Sequence, residues 1–473
     1  MKRSGILLPV FSLPGKYGIG SFGEEAYRFV DFLADTGQDY WQILPLNPTA
    51  YGDSPYQSPS AFAGNPYFVD LDILCGDGLL TAEECAREYA RGGIDYGRLY
   101  RTRFALLRRA YARFAGRVPD SFYAFEAKNR GWLMPYCLFM SRKAENGGRA
   151  WTEWERKAYS EEGYRPLNFH AFVQFTFFTQ WRALKEYANA HGVKIVGDMP
   201  IYVAPDSADV WSLPQNFLLT EDLKPVCVAG VPPDAFSKTG QLWGNPLYDW
   251  RRMQKDGFSW WLERFRHCFG LYDTVRIDHF RGFAAYYGVP YGESTAENGA
   301  WSPAPGEELF AAVNAAFPDA EIVAEDLGFL DERSRALLDK TGYPGIKVAQ
   351  FGFDEPESEY LPARYPENCA AYTGTHDNTT AKAWAKRLPR DRKKYFRKMT
   401  GKGAFETAAH ALVRSVLESD AALAVVPMQD YLETGEESRI NTPATLGGNW
   451  AWRLPERYAR FAKRIAAFRA ARE

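Results

Sequence analysis

Apolar and polar positions along the 473-residue chain fall into two alternating kinds of run. Short stretches rich in β-branched and aromatic residues recur as SGILLPV, YWQILPL, VKIVGDMPIYV, TVRIDHF, EIVAEDL, GIKVAQFGF, AAYTGTHDN and LAVVPMQDYL. Each ends in polar residues, glycine or proline, which is how a buried strand is bounded. Between them, EEAYRFVDFLADTG, FFTQWRALKEYANAHG and DERSRALLDKTG carry apolar residues at helical spacing and close on glycine, as amphipathic helices do. Eight strand-then-helix repeats predict an α/β fold, a (β/α)8 barrel, spanning residues 1–473 as one unit. Two insertions interrupt it. Residues 75–168 hold charged, helix-prone sequence such as RTRFALLRRAYARF, predicting a helical subdomain on the barrel's C-terminal face. Residues 204–262 are poor in helix formers and rich in Gly, Pro and Trp, predicting long ordered loops. No repeat period, low-complexity tract or linker separates the insertions from the barrel.

Composition narrows the partners. Lys plus Arg total 57 and Asp plus Glu 59, so a net charge of −2 offers no broad grip on nucleic acid or an anionic membrane, and a neutral ligand is expected. Aromatics make up 16% of the chain; a large core accounts for most of them, and sugar stacking is an argument only near a site. Cys75, Cys85, Cys137, Cys227, Cys268 and Cys369 are scattered, with no CxxC pair, which suggests reduced thiols and a cytoplasmic location. The N-terminal apolar run breaks at Pro9 with no cleavage-like tail, and no stretch approaches membrane-spanning length. None of the six histidines stands in an HExxH or paired-ligand spacing, so no metal site is expected.

The chemistry concentrates where predicted strands end. Asp278, Glu325 and Asp377 close three of them, the position at which barrel enzymes carry their reacting groups. Arg276 and Asp278 stand two apart, on one face of their strand, so the cation favours an ionised carboxylate. The same pair also fits a buried structural salt bridge. Alternation puts Val323 and Glu325 on the inward face of the next strand, near Asp278. A retaining glycosidase needs its two carboxyls about 5–5.5 Å apart, which adjacent strands can supply.

Longer motifs make the reading specific. YGDSPYQSPSAFAGNP, GDMPIYVAPDSADVW, VAGVPPDAFSKTGQLWGNPLYDW, RIDHFRGF, EDLG, GTHDN and RINTPATLGGNWAWR together resemble the amylomaltases, 4-alpha-glucanotransferases related to the α-amylases, in collinear order from about residue 4 onwards. The resemblance implies that Asp278 is the nucleophile, Glu325 the general acid/base, and Asp377 the carboxylate that grips the sugar and stabilises the transition state. It implies that His279 and His376 bind sugar beside them, with Arg276 holding Asp278 ionised, and that Tyr56 lies under the transferred glucose. Asp198 resembles an acid lining the site, although pairing with Arg276 or capping a loop would equally explain it. Trp243, Asp354 and Asn449 match subsite positions more loosely. Pro59 and the INTPA of the closing motif depart from the family pattern. The expected partners are α-1,4-glucans and maltooligosaccharides, with no cofactor, and the extra N-terminal modules of longer members are expected to be absent. Residues 204–262 then fall on the acceptor side, where Val228–Pro246, with Phe236 and Trp243, suit a cover that shields a reactive ester from water. Two rival functions use the same residues: an α-amylase-type hydrolase and a non-catalytic glucan-binding barrel.

Overall fold

In a computed structural model of the chain, residues 2–86, 92–233, 237–328, 331–470 and 472 are described. Eight parallel strands close into a barrel: Arg3–Leu7, Tyr40–Gln42, Lys194–Met199, Thr274–Ile277, Glu321–Ala324, Gly345–Val348, Cys369–Tyr372 and Leu423–Pro427. They pair in chain order, and the first closes on the eighth through Arg3↔Leu423 to Leu7↔Pro427. Every one of the eight runs picked out by hydrophobicity contributes its strand.

Two apolar layers follow from strand alternation. Leu7, Val323, Ile346, Val348, Ala370, Tyr372 and Val425 fill the interior. Their outward-facing neighbours, among them Ile6, Val275, Ile277 and Ala324, pack beneath the helices. Helix Glu24–Asp35 shows why such helices form: Ala26, Phe29, Val30 and Leu33 make one buried stripe, and Glu24 and Glu25 face the helix N-terminus, where negative charge is favoured. Helix Phe169–Ala190 starts at Asn168, whose side chain accepts the Ala171 N–H. Gly197 in the third strand marks a tight approach, because a Cβ there would lie 2.1 Å from the Tyr272 ring.

Within residues 75–168 lie helices Ala82–Cys85, Tyr96–Phe114 and Asp120–Glu145. The stretch 204–262, expected as loops, is more ordered than that. Strands Cys227–Val231 and Gln241–Pro246 form a hairpin that joins Ala285–Pro290 and Ala300–Pro303 in a four-stranded antiparallel sheet. Helices Ala208–Ser212 and Trp250–Lys255 flank the hairpin. The sheet was invisible to a local reading because half of its strands come from beyond residue 262, and because glycines punctuate the hairpin. Gly230 sits where an added Cβ would meet the Gln241 carbonyl oxygen at 2.5 Å. Among the described residues no helix is long and apolar enough to cross a membrane.

Candidate active site

The fourth and fifth barrel strands run in register, Arg276 opposite Val323 and Ile277 opposite Ala324. The next residues, Asp278 and Glu325, therefore emerge side by side at the C-terminal rim, on backbones about 4.8 Å apart. Backbone bonds fix both ends: the Glu325 N–H donates to the Ile277 carbonyl at 2.9 Å, and the Phe280 N–H to the Glu325 carbonyl at 2.9 Å. His279, between them, adopts a left-handed backbone, φ +50°. This conformation is uncommon outside glycine, and here it turns the His279 N–H onto Glu325 Oε2 at 2.6 Å. The Leu327 N–H holds the other carboxyl oxygen at 2.9 Å.

Beneath them Arg276 faces Asp198 across the third and fourth strands. Its Nη1 lies 2.7 Å from both Asp198 oxygens and 3.1 Å from Asp278 Oδ1. The side chains of Asp198 and Arg276 are only 0% and 5% exposed, whereas Asp278 keeps 27%, so Asp278 alone of the three reaches open space. The Tyr56 hydroxyl donates to Asp198 at 2.7 Å and sits 3.0 Å from His376 Nε2. The Tyr56 and His376 rings stack at 5.3 Å, with Trp450 tilted against both. Asp377 follows His376; its Oδ1 accepts from Asn441 Nδ2 at 2.6 Å and its carbonyl from Arg439 at 2.7 Å. On the opposite flank Trp243 meets the His279 ring edge-on at 4.9 Å. Among the described residues the buried His279 Nε2 has no hydrogen-bond partner.

These contacts revise the electrostatic expectation for Asp278. Arg276 does touch it, but its guanidinium is shared with Asp198, and burial together with the charges of Asp198, Glu325 and Asp377 pushes the Asp278 carboxyl well above the usual range. Glu325 is raised as well, again by burial, against the opposing pull of Arg276 and the two backbone N–H groups. One guanidinium cannot neutralise this many acids, so Asp278 and Glu325 retain a proton between them. Arg276 opposes the rise at Asp278 without removing it. Burial lowers His279 to about 3 and lowers His376 too, leaving both imidazoles neutral.

Of the positions singled out from sequence, Tyr56, Asp198, Trp243, Arg276, Asp278, His279, Glu325, His376 and Asp377 come together in this network. Asp354 and Asn449 do not join it. Asp354 is half-exposed and pairs with Arg392, while Asn449 closes its own loop by accepting the Thr442 N–H at 3.0 Å and donating to the Thr445 carbonyl at 3.1 Å. Phe236 lies outside the described residues. Asn441 and Arg439, which hold Asp377, carry no local signal of that role, although Asn441 lies within the atypical INTPA stretch. Trp450, in the closing motif, joins the aromatic group around Tyr56 and His376.

A profile of glycoside hydrolase family 77, described as 4-alpha-glucanotransferase, matches residues 8–459. A 4-alpha-glucanotransferase of Streptococcus pneumoniae is 48% identical over 473 residues, covering 96% of this chain and 94% of the relative. One from Thermus thermophilus is 44% identical, covering 95% and 94%. The solved amylomaltase of Streptococcus agalactiae in complex with acarbose superposes with a TM-score of 0.95 at 40% identity, covering 99% of each chain.

Proposed function

Since the chain belongs to the family of 4-alpha-glucanotransferases, we propose that Asp278 and Glu325 carry out its transfer reaction by a two-step retaining mechanism. The substrates are a donor maltooligosaccharide and an acceptor glucan or glucose. In the first step the Asp278 carboxylate attacks the anomeric carbon, the glycosidic bond breaks, and Glu325 gives its proton to the departing 4-oxygen. In the second, ionised Glu325 takes the proton from the acceptor's 4-hydroxyl, that oxygen attacks the anomeric carbon, and the ester to Asp278 is released. Asp377, held by Asn441 and Arg439, accepts hydrogen bonds from hydroxyls of the transferred glucose. Neutral His279 and His376 supply further hydrogen bonds, and Tyr56 with Trp450 forms the aromatic floor.

Asp198 and Arg276 have a positioning role in this scheme, setting Tyr56 and biasing the negative charge toward Asp278. Asp354 and Asn449 remain subsite proposals for longer glucans. The unbridged thiols of all six cysteines support a reducing, cytoplasmic setting.

One observation carries the reading: Asp278 and Glu325 stand side by side at register-matched ends of adjacent barrel strands, where burial raises both carboxyls. Chromatography of products from maltotriose tests the overall reaction. Transfer gives glucose and a ladder of longer maltooligosaccharides, whereas glucose and maltose alone mean hydrolysis and overturn it. A fluorinated glucosyl donor tests the chemistry, because the trapped adduct must sit on Asp278.

A further inference from the structure

Cys75 and Cys85, ten residues apart in the sequence, bring their sulfur atoms within 3.5 Å. Cys75 lies in the last turn of helix Leu71–Gly76 and is half-buried; Cys85 ends helix Ala82–Cys85 and is buried. The turn between them is held from several sides. Gly78 takes the left-handed conformation, φ +66°. The Thr81 hydroxyl accepts the Glu84 N–H while the Glu84 carboxylate accepts the Thr81 N–H. From the neighbouring helix, Arg113 donates to the Leu79 carbonyl at 2.8 Å and to both Glu84 oxygens at 2.7 and 2.9 Å, and Arg117 donates to the Asp77 carbonyl. The backbone thus holds both cysteines with their sulfurs 3.5 Å apart, against a bonding distance of about 2.05 Å.

We propose that Cys75 and Cys85 form a reversible disulfide site, oxidised by hydrogen peroxide or by a low-molecular-weight disulfide. With peroxide, the Cys75 thiolate attacks one oxygen; the sulfur–oxygen bond forms, the oxygen–oxygen bond breaks, and the departing hydroxide takes a proton to become water. The Cys85 sulfur then displaces the sulfenic oxygen, which leaves as a second water. Two thiols have lost two protons and two electrons, and peroxide has become two waters. With a low-molecular-weight disulfide, Cys75 forms the mixed disulfide and Cys85 expels the remaining thiol. Cys75 reacts first because it is the more exposed; burial pushes the Cys85 thiol up to about 12, so it holds little thiolate. The bond ties helix Ala82–Cys85, the first of the insertion, to helix Leu71–Gly76 just before it.

The test uses the full chain. After peroxide treatment, denaturation and alkylation with iodoacetamide, the oxidised protein should carry two fewer adducts than the six of the reduced chain. Dithiothreitol should restore all six. Cleavage after acidic residues should recover the Cys75 and Cys85 peptides covalently joined. In Cys85→Ser the same treatment should leave a sulfenic acid on Cys75 that dimedone traps. Persistence of all six adducts, a bridge between other cysteines, or sulfinic acid on Cys75 with Cys85 still free would overturn the proposal.

Discussion

At the scale of single residues, the site's chemistry depends on one proton shared by two acids. Asp278→Asn should abolish transfer, because an amide cannot form the glycosyl ester. Glu325→Gln should still bind glucan but lower kcat by about 10²–10⁴-fold, the usual contribution of a positioned acid/base. Single-turnover kinetics with maltotriose measures both, and a Glu325→Gln enzyme close to wild type would remove Glu325 from its role. The three acids could be read from sequence because each ends a recognisable apolar run, so strand alternation alone aims them at one rim. The charge state of Asp278 could not. It depends on how many other carboxylates converge on Arg276, and Asp198, Glu325 and Asp377 arrive from three other strands. Asn441 was hidden for a related reason: its contact with Asp377 spans 64 residues and belongs to no local pattern.

At the scale of elements, the barrel strands could be read because each is a self-contained apolar run, while the antiparallel sheet beside the site is assembled from distant pieces. In the hairpin of that sheet, Trp243 leaves the second strand to meet His279, and its carbonyl accepts from Gln57 at 3.3 Å. We expect Trp243→Ala to admit water and remove a stacking face for the acceptor, raising the ratio of hydrolysis to transfer several-fold. Free reducing ends measured against glucose released from maltotriose give that ratio; no change would assign Trp243 to packing only. A second element prediction concerns the loop carrying His376 and Asp377. Asp430, buried on the helix after the eighth strand, accepts the Thr373 hydroxyl at 2.6 Å and the Ala381 N–H at 2.7 Å, bracing both ends of that loop. Burial raises its pKa from 3.8 to about 6. A carboxyl raised on folding stabilises the native state fully below its unfolded pKa and loses that contribution as pH rises through the folded one. From pH 4 to 6, therefore, wild type should lose about 2 kcal/mol relative to Asp430→Asn. Urea midpoints across that window check the sign, and a constant difference would place the titration elsewhere.

At the scale of the whole molecule, the eight strands of one chain close the barrel. Among the described residues no cluster of three or more His, Cys, Asp or Glu side chains could hold a metal ion. EDTA is accordingly expected to leave the transfer rate unchanged, and a loss restored by calcium would reopen the hydrolase reading. Closure rests instead on the seam between the first and eighth strands, which join residues some 420 positions apart in the sequence. Arg472 lies across that seam. Its guanidinium donates to the carbonyls of Arg3 at 2.8 Å, Leu417 at 2.7 Å and Ala421 at 2.6 Å, linking the start of the first strand to the segment entering the eighth. The side chain is buried, and burial lowers its pKa to about 10, so its charge is maintained by these three acceptors against the cost of desolvation. Arg472→Ala leaves three carbonyls without their donor, a loss of about 1–3 kcal/mol. Spread over the unfolding entropy of a chain this long, that should lower Tm by only about 1–3 °C. Because Arg472 contacts the N-terminal ends of these strands, opposite the rim that carries Asp278 and Glu325, kcat on maltotriose should stay at the wild-type value. Calorimetry with parallel kinetics separates the two effects. A fall in kcat without a fall in Tm would mean that Arg472 acts on the site and not on closure.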